Sequence, residues 1–257
     1  MRRRPHADLH GLLIVDKPLD WSSMDVCRRV KRATGGAKVG HAGTLDPLAT
    51  GVVVCCLGRA TSLVERLMGL PKTYEAEVDL SAFSVTDDRE GPLLPVSVGA
   101  IPSEAQVREG LRAFVGWIEQ TPPAYSAVHV GGERAYDLAR AGKAVTLQPR
   151  RVRVDEIAWV TYAWPTLAVR VRCGRGTYIR SLARDLGRSL GTGGHLASLR
   201  RTRVGGFAVE GAADAQRLAL PITQSDLLGM DVVESMLAGG EAAEEKPGGR
   251  SGESAAG

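Results

Sequence analysis

Cysteine is scarce in this chain, four in 257 residues, and Cys27, Cys55, Cys56 and Cys173 form no C-x-x-C spacing. Neither a zinc site nor a disulfide framework is suggested, which fits a reducing cytoplasm. Long apolar runs are lacking as well. After the basic Arg2-Arg3-Arg4, the run Leu12 to Val15 is broken by Asp16 and Lys17, too short for the core of a signal peptide, and no run approaches transmembrane length. A cytoplasmic protein without membrane contact is therefore expected. No glycine-rich stretch continues into Gly-Lys-Ser/Thr, and Gly35-Gly36 follows a helical pattern rather than preceding one, so no nucleotide cofactor is expected. No other cofactor or metal motif stands out. A strong charge of one sign is missing too: a net charge of +4 and a pI near 9.0 are mildly basic, compatible with a nucleic-acid partner but insufficient to show one.

What is present is ordinary in bulk and specific in pattern. Hydrophobic residues at 44% and charged residues at 24% are globular values, with ample chain for a core. Leu12 to Val15 reads as a buried strand, and Ser22 or Ser23 caps a helix to about Thr34, with Val26 and Val30 inward and Arg28, Arg29, Lys31 and Arg32 mostly outward. Gly51 to Leu57 is a β-branched run suited to a strand buried on both faces, followed by a short helix from about Thr61 to Met68. Lys72 to Leu80 alternates, placing Tyr74, Ala76, Val78 and Leu80 on the inner face. Ser81 to Ile101 is a long polar connector. Ser103-Glu104-Ala105-Gln106 is a capping box opening a helix with Val107, Leu111 and Phe114 inward. Trp117 to Gln120, Tyr125 to Val130, Arg150 to Tyr162 and Thr166 to Cys173 read as strands. The chain then turns helical, with Arg180, Arg184 and Arg188 at spacing four on one face and Ile179, Leu182, Leu186 and Leu190 on another. Gly193-Gly194-His195-Leu196 is expected to open a short helix ending in Leu199-Arg200-Arg201. These arginines, with Arg203, suggest a surface that tracks phosphates. Strands and helices interleave without a regular βαβ repeat, which predicts an α+β domain with a mixed sheet.

The stretch that carries chemistry is Val39-Gly40-His41-Ala42-Gly43-Thr44-Leu45-Asp46-Pro47-Leu48-Ala49-Thr50-Gly51. Pro47 restricts Asp46 to extended backbone, so the acid is presented from a loop. Gly40, Gly43 and Gly51 permit positive φ or close backbone approach. A lone Asp-Pro in a glycine-rich connector is more often an Asx-turn; the rest of the segment favours a functional carboxylate. Gly-His-Ala-Gly-Thr-Leu-Asp-Pro-Leu-Ala-Thr-Gly resembles the signature of the bacterial tRNA pseudouridine-55 synthases, the B-type branch of the pseudouridine synthases. Further blocks agree in order: Asp16-Lys17-Pro18 with Ser22-Ser23, Lys72-Thr73-Tyr74, Pro123 to Ala127, Gly176 to Arg180, and His195 to Arg201. The resemblance runs from about Gly11 to Phe207.

The resemblance implies a pseudouridine synthase fold, a mixed, largely antiparallel central sheet flanked by helices and RNA-gripping loops. It implies an enzyme that needs no cofactor, converts uridine 55 in the T-arm of tRNA to pseudouridine, and works as a monomer. By the same resemblance Asp46 is the essential carboxylate, Arg180 its partner, Tyr74 packs on the target uracil, and Tyr178 and Leu199 close the pocket. His41 occupies the space that the flipped nucleotide leaves, and Lys17 and Pro18 support the site. On the residues alone, Tyr74 reads as a core tyrosine and His41 as a loop-stabilising hydrogen-bond partner. The connector departs from the family at Ser81, commonly glycine, and Val85, commonly acidic, while Thr86 and Asp88 remain. The expected organisation is a basic extension over 1–10, a catalytic domain over 11–237 and a disordered tail over 238–257, rich in Gly, Ala, Glu and Ser. The small β-rich RNA-binding domain into which family members usually continue is not expected here. Two other classes compete: a non-catalytic tRNA-binding chaperone, and a glycosidase-like hydrolase requiring a second acid near the first, for which Asp16, Asp20 or Asp25 are candidates without motif support.

Overall fold

The computed structural model describes residues 8–218 and 220–244. In chain order its main elements are β1 (Gly11–Lys17), α1 (Ser23–Ala33), β2 (Val39–His41), β3 (Ala49–Leu57), α2 (Val64–Gly69), β4 (Lys72–Asp79), β5 (Ala82–Ser84), β6 (Leu93–Pro95), α3 (Glu104–Arg112) and β7 (Gly116–Gln120). They continue through β8 (His129–Val130), β9 (Glu133–Arg134), α4 (Ala135–Arg140), β10 (Arg150–Ala163), β11 (Thr166–Cys173), α5 (Ile179–Leu190), β12 (His195–Val204), β13 (Phe207–Ala208), β14 (Ala213–Asp214) and α6 (Met230–Glu244).

The local signals explain most of these boundaries. Ser22 caps α1 and Ser103 caps α3, each through a reciprocal capping box, with Asp25 and Gln106 as the returning side chains. Gly191, in the left-handed region at φ 68°, ends α5. The central sheet runs β14-β1-β3-β12-β4-β11-β10-β7, with β2 on β3 and β13 on β12. Only β1–β14 and β3–β12 pair in parallel, so the sheet is mixed and largely antiparallel. The domain is α+β, as its element pattern predicts.

Helices cover both faces. On one, α1, α3 and α5 contribute Val26, Val30, Val107, Leu111, Leu182 and Leu186 to a core with Val53, Cys55 and Leu57 of β3. On the other, Leu67 of α2 and Val233 and Leu237 of α6 pack with Val52, Val54 and Cys56. β3 therefore feeds alternate residues to two cores, which is why its sequence is apolar without a polar face.

Two expectations change. The segment from His195 is a strand, β12, inserted between β3 and β4, rather than a helix. Its paired glycines serve close packing: a Cβ on Gly193 would lie 2.2 Å from the Ala82 nitrogen, and one on Gly194 2.2 Å from the Ala183 oxygen. Tyr125 to Val130 contributes only the two-residue β8, because its carbonyls at Ser126 and Val128 accept from Tyr136 and Ala135 instead of joining the main sheet. At the end of the chain, α6 covers Met230–Glu244; residues 1–7 of the basic extension and 245–257 of the tail lie outside the described residues. Among the described residues, no helix is long and apolar enough to cross a membrane, and no group of three or more His, Cys, Asp and Glu is placed to hold a metal.

Candidate active site

The loop carrying Asp46 joins β2 to β3, two antiparallel strands paired from Val39 with Leu57 to His41 with Cys55. Leu45 and Leu48 are buried while the Asp46 side chain keeps 34% exposure, so two apolar anchors turn the carboxylate outward. Three elements hold the loop from outside. The Ser23 hydroxyl, at the start of α1, accepts from the Leu45 amide at 2.8 Å and donates to the Leu45 carbonyl at 3.1 Å. The Asp20 amide donates to the Pro47 carbonyl at 2.9 Å. Lys17, fully buried, directs Nζ to the carbonyls of Trp21 at 2.6 Å, Pro18 at 2.9 Å and Pro47 at 3.3 Å. Burial lowers the Lys17 pKa to about 8, against the pull of the Asp46 charge.

Arg180 enters from the first turn of α5. Its Nη2 lies 2.9 Å from Asp46 Oδ2 and donates to the Tyr125 carbonyl at 3.0 Å, while Nη1 donates to the Thr86 carbonyl at 3.1 Å and lies 3.4 Å from Asp88 Oδ2. Asp88 is itself oriented by the Thr86 hydroxyl at 2.5 Å and the Glu90 amide at 3.0 Å. The guanidinium is thus fixed between two carboxylates and two carbonyls, and it delivers one edge to Asp46. The start of α5 is fixed in turn by Gln120 of β7, whose side chain accepts from the Tyr178 amide and donates to the Tyr178 carbonyl.

Asp46 and Arg180 line a cavity of about 400 Å³ whose walls include Tyr74, Tyr178, Leu199 and Arg201. Tyr74 points inward from β4, Leu199 from β12, and Tyr178 from the N-terminal flank of α5 with the Arg150 guanidinium 5.0 Å from its ring centre. Burial raises the Tyr74 pKa, with Arg201 opposing, so its hydroxyl stays protonated at neutral pH. Five of the eight sequence-derived residues therefore converge: Asp46, Tyr74, Tyr178, Arg180 and Leu199. His41, Lys17 and Pro18 do not line the cavity. His41 ends β2 half-buried, and burial followed by the Arg201 charge lowers its pKa, leaving the ring neutral at pH 7.

The arginine rows behave differently from a phosphate-tracking surface. Arg180 and Arg184 are buried, and Arg184 pairs with Asp87 at 2.7 Å and Asp185 at 2.8 Å; of the row on α5 only Arg188 is exposed. In β12, Arg201 is buried and Arg200 pairs with Asp16 at 2.7 Å, leaving Arg203 exposed. The second acid of a hydrolase is also missing from the wall: Asp16 is held by Arg200 and Asp25 by the α1 cap, and Asp46 is the acid among the lining residues. Asp87 and Gln120 give little sequence signal, because their partners lie 97 and 58 residues away; Asp88 is marked only by its agreement with the family pattern.

A large mixed sheet thus carries a carboxylate–arginine pair beside an inward tyrosine. Residues 31–179 match the TruB family pseudouridylate synthase (N terminal domain), and residues 180–228 match the tRNA pseudouridylate synthase B C-terminal domain. The chain belongs to the TruB family of pseudouridylate synthases. It is 50% identical over 221 residues to the tRNA pseudouridine synthase B of Thermobifida fusca, covering 83% of this chain and 75% of that relative. It is 49% identical over 216 residues to that of Leifsonia xyli, covering 81% and 71%. Among solved structures, a Cbf5-Nop10-Gar1 complex contains a chain of similar fold, with a TM-score of 0.63 and 28% identity over 84% of this chain and 59% of the other. An archaeal box H/ACA sRNP Nop10-Cbf5 complex contains another, with a TM-score of 0.60 and 30% identity over 83% and 55%. The chain thus spans under three-fifths of the length of these solved proteins.

Proposed function

We propose that this protein isomerises uridine to pseudouridine at position 55 in the T-loop of tRNA, with the target nucleotide flipped into the cavity. The observation that carries the reading is the Asp46–Arg180 pair at 2.9 Å in the wall of a cavity large enough for a nucleoside and flanked by Tyr74. The reaction breaks the bond from ribose C1′ to uracil N1 and makes one from C1′ to C5, with the C5 proton lost to solvent and a proton returned to N1. It requires no net oxidation and no phosphate energy. Asp46 is the catalytic carboxylate, acting on the sugar or the base. Arg180 directs it, being unable to give up its own proton. Tyr74 and Tyr178 offer flat surfaces to the extruded base, and Leu199 adds an apolar contact that excludes water. His41, neutral and outside the cavity, suits the space that a flipped base leaves in the T-loop. Extrusion costs a few kcal/mol, recovered from contacts in the pocket.

Incubation of unmodified tRNA transcript with the wild type and Asp46→Asn, followed by chemical mapping of pseudouridine, tests this. Modification at position 55 by the wild type alone is expected. Tight binding by both proteins with modification by neither would instead leave a non-catalytic RNA-binding role.

A further inference from the structure

Arg201 belongs to a run that looks like a basic surface in the sequence, yet it is 1% exposed. Among the described residues no carboxylate lies within salt-bridge distance of it; its guanidinium adjoins the Tyr74 hydroxyl and bonds three backbone carbonyls. Nε donates to the Val52 carbonyl of β3 at 2.7 Å, Nη1 to the Thr44 carbonyl at 3.2 Å, and Nη2 to the Gly43 carbonyl at 3.2 Å. One end of this fork is therefore on the sheet and the other on the loop that ends in Asp46.

The backbone of Arg201 is fixed before its side chain reaches out. β12 pairs in parallel with β3, with Arg201 opposite Gly51. Gly51 has φ +105°, and a Cβ there would lie 2.1 Å from the Arg201 oxygen, so only glycine allows the two strands this approach. Gly43, at φ +106°, gives the loop the turn that presents its carbonyl to the guanidinium. Three glycine-dependent and strand-dependent constraints thus converge on one buried cation.

We infer that Arg201 is a positioning residue for the reaction: its guanidinium ties the Gly43–Thr44 segment to β3 and so sets where Asp46 stands in the cavity. The inference rests on the reading of Asp46 as the catalytic carboxylate. A buried cation without a carboxylate partner depends on its carbonyl acceptors, so moving the loop would leave charge and carbonyls unsatisfied together. Lysine keeps the charge but cannot present a planar fork to three acceptors. Ser23 and Lys17 hold the Leu45 and Pro47 side of the loop; Arg201 holds the opposite side.

The test compares wild type, Arg201→Lys, Arg201→Gln and Asp46→Asn. Four quantities are read: single-turnover rate on tRNA transcript, tRNA affinity, unfolding midpoint, and hydrogen exchange of the loop amides, with Leu45 as the reporter. Arg201→Lys is expected to fold, to bind tRNA within about twofold of wild type, to exchange faster in the loop, and to react about 10²-fold more slowly, the loss typical of a reacting group displaced by about 1 Å. Wild-type rate or unchanged loop exchange in Arg201→Lys overturns the inference. So does a joint fall of rate, affinity and midpoint with faster exchange throughout the sheet, which marks a general core role. If Arg201→Gln does not fold, Arg201→Lys decides alone. If the wild type forms no pseudouridine while Arg201→Lys still loosens the loop, the brace stands and the functional reading fails.

Discussion

At the scale of single residues, a carboxylate on a cavity wall has to be aimed, and part of the aim of Asp46 comes from neighbours that do not line the cavity. Lys17 is the clearest, because its ammonium is buried under the loop with Nζ on three carbonyls. Its folded pKa of about 8 lies below the ordinary 10.5. Between these values the unfolded chain binds the proton and the native chain does not, so this group makes stability rise with pH across that window. Denaturant unfolding at pH 8 and pH 10 is expected to show the midpoint of Lys17→Met falling relative to wild type as pH rises. Parallel behaviour would remove Lys17 as the titrating group. The loop presentation of Asp46 is legible in the sequence because it is local, set by Pro47 and flanking glycines. The side-chain contacts of Asp88 and Arg201 are not, since their partners Arg180 and Thr44 lie far along the chain and a lone acid or arginine looks the same on a surface.

At the scale of elements, α5 does more than cover the sheet. Its apolar face was readable from spacing, and Leu182 and Leu186 are buried as that spacing requires. Its arginine face was misread, because helical periodicity shows that residues share a face without showing what the face meets. Here the face meets the connector, and Arg184 joins Asp87 to the Thr121 carbonyl. Burial pushes the Asp87 pKa up while Arg184 opposes it, so the acid depends on its partner. Replacing Arg184 with Met leaves that carboxylate buried and uncompensated, and a loss of about 3–5 kcal/mol is expected in equilibrium unfolding. A loss under ~1 kcal/mol would mean that solvent reaches Asp87. β12 was misread for a different reason: a short apolar run after two glycines fits either period until strand neighbours exist. The glycines themselves record those neighbours. Gly193→Ala would drive a methyl into the Ala82 backbone, and a destabilisation of about 1–3 kcal/mol by overpacking is expected, with the unfolding midpoint as the measure.

At the scale of the whole molecule, the fold gathers residues from the β2–β3 loop, β4, β12 and α5 into one wall, and the charge that the sequence advertises is partly spent in doing so. Arg180, Arg184 and Arg201 are engaged internally, although all three count toward the net charge of +4. At the cavity mouth Arg175 is exposed and pairs with the exposed Glu65 at 3.0 Å, a contact that a phosphate can displace at little cost. Arg112, on α3, has a similar exposed pair with Glu109 at 2.8 Å but does not line the cavity. If tRNA is held over this mouth, Arg175→Ala weakens binding and lowers the steepness of log affinity against log salt by about one, the signature of one lost phosphate contact. Arg112→Ala leaves both unchanged. The two variants remove the same charge, so equal effects would show that the molecule attracts RNA by its net charge alone, and the opposite ranking would move the RNA path from the cavity mouth to α3.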